Sequence, residues 1–440
     1  MKFLVVGGGA REHAIVDALL HDDSEVYAYM AWENPGIKKS ATGYFIGRMD
    51  DAESCVKFAK ASKTEIAVIG PEAPLAAGFV DALLEAGILC VGPDREHAQL
   101  ETSKGFTRML LEKYEIDAQP EYKVFDKDSD PREIQEFLEE LGEFVIKPDG
   151  LTGGKGVKIS GEHLQSAEEG MLYVHEIIGN HSKAIAEEKL EGEEFSLQTL
   201  TDGKTFLHFP VAQDHKRAYE EDLGPNTGGM GSYSDANFLL PFLTLKDIET
   251  ARRITEEVAA AIEKELGSPY KGVMYGGFMI TKKGVKLLEY NARFGDPEAM
   301  NVLPILKTPF SEICMAAAEG KLLELNVEFE KKATVCKYIV PKGYPDNTQE
   351  GKIAIPTCEK DNIKALTYYA SVEEKNGELW TKKSRAVAFV GIADTIKQAE
   401  KIAEEAASKA TGNAYHRRDI GTVEALERKI EHMKEVLNDE

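Results

Sequence analysis

Over the first hundred residues, short apolar runs alternate with stretches whose apolar residues recur at helical spacing. That alternation leaves the chain few folds to choose from. The runs fall at 2–6, 25–30, 66–69 and 88–91, and Ala14, Ile15, Ala18 and Leu19 mark an apolar helix face after the first. Strands separated by helices predict a parallel, doubly wound α/β sheet with right-handed crossovers. Ligands of such a sheet sit beyond the carboxyl ends of its strands. Two of those ends carry conspicuous loops, Gly7-Gly8-Gly9 and Gly70-Pro71-Glu72-Ala73-Pro74-Leu75.

A second unit begins near Thr102-Ser103-Lys104, where Ser103 is placed to cap a helix over 104–114. From about 120 to 190 the pattern reads strand, helix, strand, glycine loop, strand, helix, strand. Longer alternating strands follow and end at Glu289-Tyr290-Asn291. From about 330 a third unit mixes strands (333–340, 386–391) with charged amphipathic helices at 394–409 and 421–436. The expected domains are therefore 1–102, 103–328 with a subdomain at about 120–190, and 329–440. With no internal repeat or low-complexity linker, these units should pack tightly.

Fifty-three basic against 76 acidic residues give a net charge of −23, a surface that repels nucleic acid and anionic lipid. The expected partners are small molecules, and a phosphorylated one needs a locally basic pocket in that acidic exterior. The five cysteines are scattered without a Cys-x-x-Cys pair, which suggests neither a disulfide frame nor a zinc site. Met1 to Gly7 is too short an apolar run for a signal peptide and reads as a first buried strand. No apolar stretch approaches the ~20 residues of a membrane span. The expected compartment is the cytoplasm, and the expected state a monomer or homodimer.

Gly7-Gly8-Gly9-Ala10-Arg11-Glu12 follows a strand and opens a helix. As a dinucleotide fingerprint it is degraded, because Glu12 replaces the third glycine, although Glu33 stands about where the ribose-binding acid would. A single phosphate held by backbone amides at the helix N-terminus, helped by Arg11 and His13, fits better. The plain alternative is a strand-to-helix turn with both side chains solvated.

The most informative stretch is Val145-Ile146-Lys147-Pro148-Asp149-Gly150-Leu151-Thr152-Gly153-Gly154-Lys155-Gly156-Val157. A buried strand delivers Lys147, and a loop with four glycines around Lys155 returns into a second strand. Glycines let backbone N–H groups close on phosphate oxygens, and Lys155 adds charge at the tip. No Gly-Lys-Ser/Thr opens a helix here, so this is not a P-loop. A structural hairpin needs one turn glycine, not four with a central lysine.

Some forty residues on, Glu187-Glu188-Lys189-Leu190-Glu191-Gly192-Glu193-Glu194 follows an apolar run. Alone it reads as a solvated acidic surface; after a lysine–glycine loop it suits a linker facing a purine and its ribose. In Glu289-Tyr290-Asn291-Ala292-Arg293, residues two apart on a strand share a face, so Glu289 and Asn291 converge. A carboxylate beside an amide oxygen suits Mg²⁺, and Arg293 extends the row with a cation for a transferred phosphoryl group. The ordinary reading is a salt-bridged strand end. Asp214-His215-Lys216-Arg217-Ala218-Tyr219 and Gly224-Pro225-Asn226-Thr227-Gly228-Gly229-Met230-Gly231 form a long loop of anion contacts and glycines, a common functional type.

These motifs and their order, across residues 7–298, resemble the phosphoribosylamine–glycine ligase family of the ATP-grasp superfamily. The lysine loop and the Glu-x-Asn row fit any ATP-grasp enzyme. Gln-Asp-His-Lys-Arg-Ala, Pro-Asn-Thr-Gly-Gly-Met-Gly and Asn-Ala-Arg-Phe-Gly-Asp-Pro-Glu are particular to this family. Ala31-Trp32-Glu33-Asn34-Pro35-Gly36-Ile37 departs from the Pro-Gly-Asn-Ala-Gly usual in bacterial members, and Pro341-Lys342-Gly343-Tyr344-Pro345 resembles the family's C-terminal domain more faintly.

The resemblance implies an ATP-grasp fold between an N-terminal doubly wound domain and a C-terminal α/β domain. ATP would lie between the 120–190 lid and the central lobe. Lys104, Lys147, Gly153, Gly154, Lys155 and Gly156 would be near its phosphates, Glu187, Glu188, Lys189 and Leu190 at adenine, and Glu194 at ribose. Glu289 and Asn291 would carry Mg²⁺ or Mn²⁺. Gly9, Arg11, Glu72, Asp214, Lys216, Arg217, Asn226, Thr227, Gly228, Arg293, Gly295 and Asp296 would bind glycine and 5-phosphoribosylamine, with Arg293, Lys155 and Asp214 catalytic. The implied reaction is ATP-dependent ligation of those two substrates in purine synthesis, giving glycinamide ribonucleotide, ADP and phosphate through glycyl phosphate. The rival readings are another ATP-grasp carboxylate–amine ligase and a nucleotide-binding protein without turnover.

Overall fold

The computed structural model describes residues 1–22, 24–151 and 156–438. Lys2–Val6 forms the middle of a five-stranded parallel sheet, with Glu25–Met30 and Gly43–Ile46 on one side and Ile66–Ile69 and Leu89–Val91 on the other. The four strands expected from apolar runs are present. Gly43–Ile46 was not expected: it is a short, half-exposed edge strand whose apolar run spans only three residues. The strand order reverses between Lys2–Val6 and Ile66–Ile69, so the loops after those two strands flank one crevice.

In the anomalous stretch after the second strand, Asn34 caps the short helix Pro35–Ser40, its Oδ1 accepting from the Gly36 and Ile37 N–H groups at 2.9 and 3.2 Å. Its amide nitrogen donates to the carbonyls of Gly8 at 2.9 Å and Tyr369 at 2.7 Å. One fully buried amide thus joins the first loop, the helix and the C-terminal region.

Ser103 caps the helix Lys104–Lys113, accepting from Phe106 N–H at 3.1 Å as its position predicted. Next comes a small antiparallel sheet ordered Tyr122–Asp126, Lys183–Glu188, Phe144–Pro148, Lys158–Ile159. Helices Pro131–Leu141 and Ala167–His181 pack on it around their own core of Phe125, Ile134, Leu138, Phe144, Ile146 and Val174. The central lobe is a second antiparallel sheet, ordered Phe206–His208, Glu193–Thr201, Gly272–Thr281, Gly284–Asn291. The 22-residue helix Leu245–Leu266 backs it, opened by a Thr244–Asp247 capping box and closed by Gly267 in the left-handed region.

A third antiparallel sheet crosses the expected boundary near 329. Gln213–Asp214 and Gly231–Ser234 pair through the latter with Ala333–Ile339, which continues to Val387–Ala393 and Leu366–Tyr369. The two ends of the long polar loop are therefore anchored in the C-terminal sheet. One hydrophobic cluster runs from Phe3 to Val436, which is the tight packing expected of the units. Among the described residues no helix is long and apolar enough to cross a membrane.

Candidate functional site

Cross-strand register builds the site. Gln198 faces Tyr275, which faces Asn291; Ser196 faces Gly277, which faces Glu289. Directly paired residues project to the same side of a sheet, so Glu194, Gln198, Tyr275, Glu289 and Asn291 share one face. The predicted convergence of Glu289 and Asn291 is present.

Among the described residues no hydrogen bond or ion pair reaches the Glu289 carboxylate. Burial alone would raise its pKa, but the field of Lys216, Lys104, Lys147 and Arg293 holds it below the usual value. Four cations from four separate segments thus surround one charged carboxylate without touching it. Such a local excess of positive charge is what a phosphorylated ligand requires in so acidic a protein. Lys104 spends its ammonium on backbone carbonyls, donating to Gly150 O at 2.9 Å. Lys216 pairs with Glu194 at 2.5 Å, and the field of Glu194, Glu289 and Asp214 outweighs burial to raise its pKa. An ionised carboxylate without a partner among the described residues, sharing a strand face with the Asn291 amide, fits a divalent cation whose remaining ligands come from phosphate and water.

Lys147 and Arg108 hold Glu187 between them, at 2.6 and 2.7 Å. Burial would raise the pKa of Glu187, yet these partners bring it down to about 2. The Glu187 side chain is therefore committed to an internal ion pair, and both its strand neighbours occupy its backbone edges. Glu188 and Lys189 pair outward, with Lys283 at 2.9 Å and Glu143 at 2.8 Å. Leu190 is half-buried just past the strand, and Gly156 stands in the left-handed region at φ 80°. Gly153, Gly154 and Lys155 lie outside the described residues.

Arg293 stands just past the strand. Its Nη2 lies 3.1 Å from Glu101 Oε1 and 3.3 Å from Asn291 Oδ1, and its Nε is 3.6 Å from Glu72. Burial would raise the pKa of Glu72; Arg293, Arg11 and Arg385 lower it instead. Asp296 accepts from the Tyr338 hydroxyl at 2.6 Å and from Arg385 at 3.0 Å. Arg385 also donates to the carbonyls of Gly228 at 2.5 Å and Gly229 at 3.2 Å. The Thr227 hydroxyl donates to Lys216 O at 2.8 Å and closes the loop. Arg217 turns away toward Glu162 at 2.6 Å and Gly224 O at 2.9 Å, on a hairpin where it faces Asn226.

At the first glycine loop the chain supplies its own partners. The Gly9 N–H donates to Glu12 Oε2 at 2.6 Å, and Glu12 Oε1 takes Arg11 Nε at 2.6 Å. Arg11 is buried and also donates to Phe294 O at 3.1 Å. Burial depresses the pKa of His13 to about 4, and its Nδ1 accepts from Tyr369 N–H at 3.0 Å. Glu12 itself supplies the anion at this helix N-terminus, and neither Arg11 nor His13 is solvated. Gly70 must lack a Cβ because one would strike the Glu12 side chain, so the two crevice loops meet on that carboxylate.

Sequence reasoning passed over Glu101, Gln198, Tyr275, Glu298 and Arg385. Glu298 lay inside a motif already singled out and takes the Tyr275 hydroxyl at 2.6 Å. Arg385 follows Lys382-Lys383-Ser384 and looks like any basic turn.

Comparison with known proteins identifies the family. Models described as phosphoribosylglycinamide synthetase match in three parts: the N domain over residues 1–101, the ATP-grasp (A) domain over 102–299 and the C domain over 334–423. A phosphoribosylamine–glycine ligase of Methanobrevibacter smithii is 50% identical, with 100% of each chain covered. That of Methanosarcina barkeri is 47% identical over 99% of this chain and 100% of its own. The crystal structure of the Thermotoga maritima phosphoribosylamine–glycine ligase superposes with a TM-score of 0.80 at 30% identity, covering 96% of this chain and 100% of that one. A biotin carboxylase domain from Hydrogenobacter thermophilus, 17% identical with a TM-score of 0.72 over 98% of this chain and 93% of that one, shares the fold alone. With all three parts matched in order and full-length relatives near half identity, the chain belongs to the phosphoribosylglycinamide synthetase family.

Proposed function

We propose that this chain is an ATP-dependent ligase joining the carboxylate of glycine to the amine of 5-phosphoribosylamine, giving glycinamide ribonucleotide, ADP and phosphate. The observation that carries the reading is Glu289: a carboxylate kept ionised by Lys216, Lys104, Lys147 and Arg293, with no direct partner among the described residues. Family membership disfavours both a different ATP-grasp ligase and a binding protein without turnover.

A carboxylate is a poor electrophile because its oxygen is a poor leaving group. In the proposed sequence a glycine carboxylate oxygen attacks the γ-phosphorus and ADP leaves. The amine of phosphoribosylamine then attacks the acyl carbon of glycyl phosphate, phosphate departs, and the amine loses a proton. Both steps develop charge on phosphate oxygens, where positioned cations stabilise the transition state most. Lys104, Lys147, Lys216 and Arg293 would hold those oxygens, joined by Lys155 from the glycine loop, while Glu194 and residues 187–190 would face ribose and adenine. A divalent cation, Mg²⁺ or Mn²⁺, bound by Glu289 and Asn291 would neutralise phosphate charge there. The enzyme would act in purine synthesis in the cytoplasm as a monomer or homodimer.

The test is phosphate release from ATP with each substrate omitted in turn. Release only when glycine and phosphoribosylamine are both present supports the reading, and equal release with neither contradicts it.

A further inference from the structure

The last helix, Val423–Asn438, begins at residue 423, where the match to the family's C domain ends. Met433 and Val436 set it in the main hydrophobic cluster. Lys429 and His432 share that inward face, since the four positions follow helical spacing. The helix thus carries a mostly buried ammonium. Lys429 Nζ lies 3.1 Å from Glu193 Oε2 and 3.0 Å from Asp222 Oδ2, and His432 Nδ1 lies 2.7 Å from Glu193 Oε1. Burial would lower the pKa of Lys429, but Glu193 and Asp222 raise it. The bridge between the two carboxylates therefore stays charged.

Both carboxylates belong to segments that frame Lys216. Glu193 precedes Glu194, the partner of Lys216. Adjacent strand residues point to opposite faces, so holding one side chain fixes the rotation of the other. Gln213 ties the same point to the strand leading into Lys216: its amide nitrogen donates to Glu193 Oε2 at 3.1 Å and to Glu194 O at 3.0 Å. Asp222 stands beyond Lys216 on the hairpin that follows, where it also takes Arg417 Nη1 at 2.8 Å. Arg417 in turn donates to Arg217 O at 3.0 Å, next to Lys216 in the chain. Among the described residues Lys429 alone pairs with both Glu193 and Asp222. Apolar side chains of similar volume would hold a helix there as well, so stability does not account for these charges. What they add is a fixed distance between the two segments.

We propose that Lys429, with His432 beside it, is a positioning residue that keeps Lys216 aimed at the phosphate end of the site. This role rests on the ligase reading above, in which Lys216 holds phosphate oxygens. Lys216 heads the cations whose field keeps Glu289 ionised, so a shift of its ammonium is felt at the proposed cation pair. Lys429 acts on them only through the strand and the hairpin. Beside it, a cavity of about 140 Å³ lined by Glu193, His215, Asp222, Asp419, Lys429 and His432 gives both segments room to move once the bridge is lost.

The experiment measures kcat for ligation by the full chain at saturating substrates in a double-mutant cycle: wild type, Lys429→Met, Lys216→Met and the double variant, at a temperature where all four are folded. Methionine keeps the unbranched stem and removes the charge. A residue that acts by placing Lys216 matters only while Lys216 is present. Lys429→Met should therefore lower kcat about tenfold in the wild type and less than about twofold in the Lys216→Met background. Lys434→Met, which removes an exposed pair with Glu431 on the same helix, should leave kcat unchanged. Equal falls in both backgrounds, which a general loosening of the fold would give, overturn the proposal. So do an unchanged kcat in Lys429→Met, a wild-type kcat in Lys216→Met, or a fall in Lys434→Met as large as that in Lys429→Met. If Lys429→Met does not fold, His432→Ala takes its place, since that side chain is 40% exposed. It should lower kcat about threefold in the wild type and leave Lys216→Met unaffected, and equal falls again overturn the role. Phosphate release by the wild type with neither glycine nor phosphoribosylamine overturns the ligase reading instead.

Discussion

Arg385 grips Asp296 twice across 89 positions of sequence, through the backbone carbonyl at 2.9 Å and the carboxylate at 3.0 Å. The same guanidinium takes the carbonyls of Gly228 and Gly229 and stacks 4.6 Å from the Tyr338 ring. One side chain from the C-terminal region therefore locks two loops of the central lobe together.

Arg385→Lys should break that lock, because an ammonium cannot span the fork of acceptors that a planar guanidinium reaches. We expect kcat/KM for ligation to fall about 10- to 100-fold, with a smaller change in the KM for ATP. Steady-state kinetics with each substrate varied will check this.

Glu187 makes stability depend on acid. Its folded pKa, about 2, lies below the ordinary 4.5. A depressed carboxylate contributes fully above the unfolded value and loses its contribution as pH falls toward the folded one. Glu187→Gln strands Arg108 and Lys147 in the interior and should cost about 3–5 kcal/mol near pH 7. The gap between wild type and variant should narrow as pH falls from 4.5 toward about 2, as read by urea unfolding at several pH values. A gap independent of pH would show that the carboxylate's charge is not what stabilises the pair.

Glu289→Gln removes the charge from the proposed cation pair while keeping its shape. Half-maximal activity should require at least about tenfold more Mg²⁺ or Mn²⁺, since a neutral amide is a weaker ligand for a hard cation. Chelation should abolish wild-type turnover and either metal should restore it, measured as ligation against free metal concentration.

Legibility followed locality. The Glu289–Asn291 row could be read because alternation on a strand is a short-range rule, and Ser103 because a cap lies next to its helix. Arg385 could not, since its partners are set by a sheet that joins segments more than a hundred residues apart and nothing in Lys-Lys-Ser-Arg encodes that pairing. Glu187 was misleading for the opposite reason. Its acidic run resembled a surface linker, while two distant cations, Arg108 and Lys147, had drawn its side chain inside. Glu12 was read as a lost glycine; only the fold shows its carboxylate capping the loop it interrupts.

Activation of glycine's carboxylate by a phosphoryl group is the central claim, and an oxygen label tests it most directly. Glycine carrying ¹⁸O in both carboxylate oxygens is turned over with unlabelled ATP and phosphoribosylamine, and the released phosphate is analysed by mass. Transfer through glycyl phosphate predicts one ¹⁸O in each phosphate and one retained in the amide. Phosphate without label, formed while glycinamide ribonucleotide accumulates, would contradict the account.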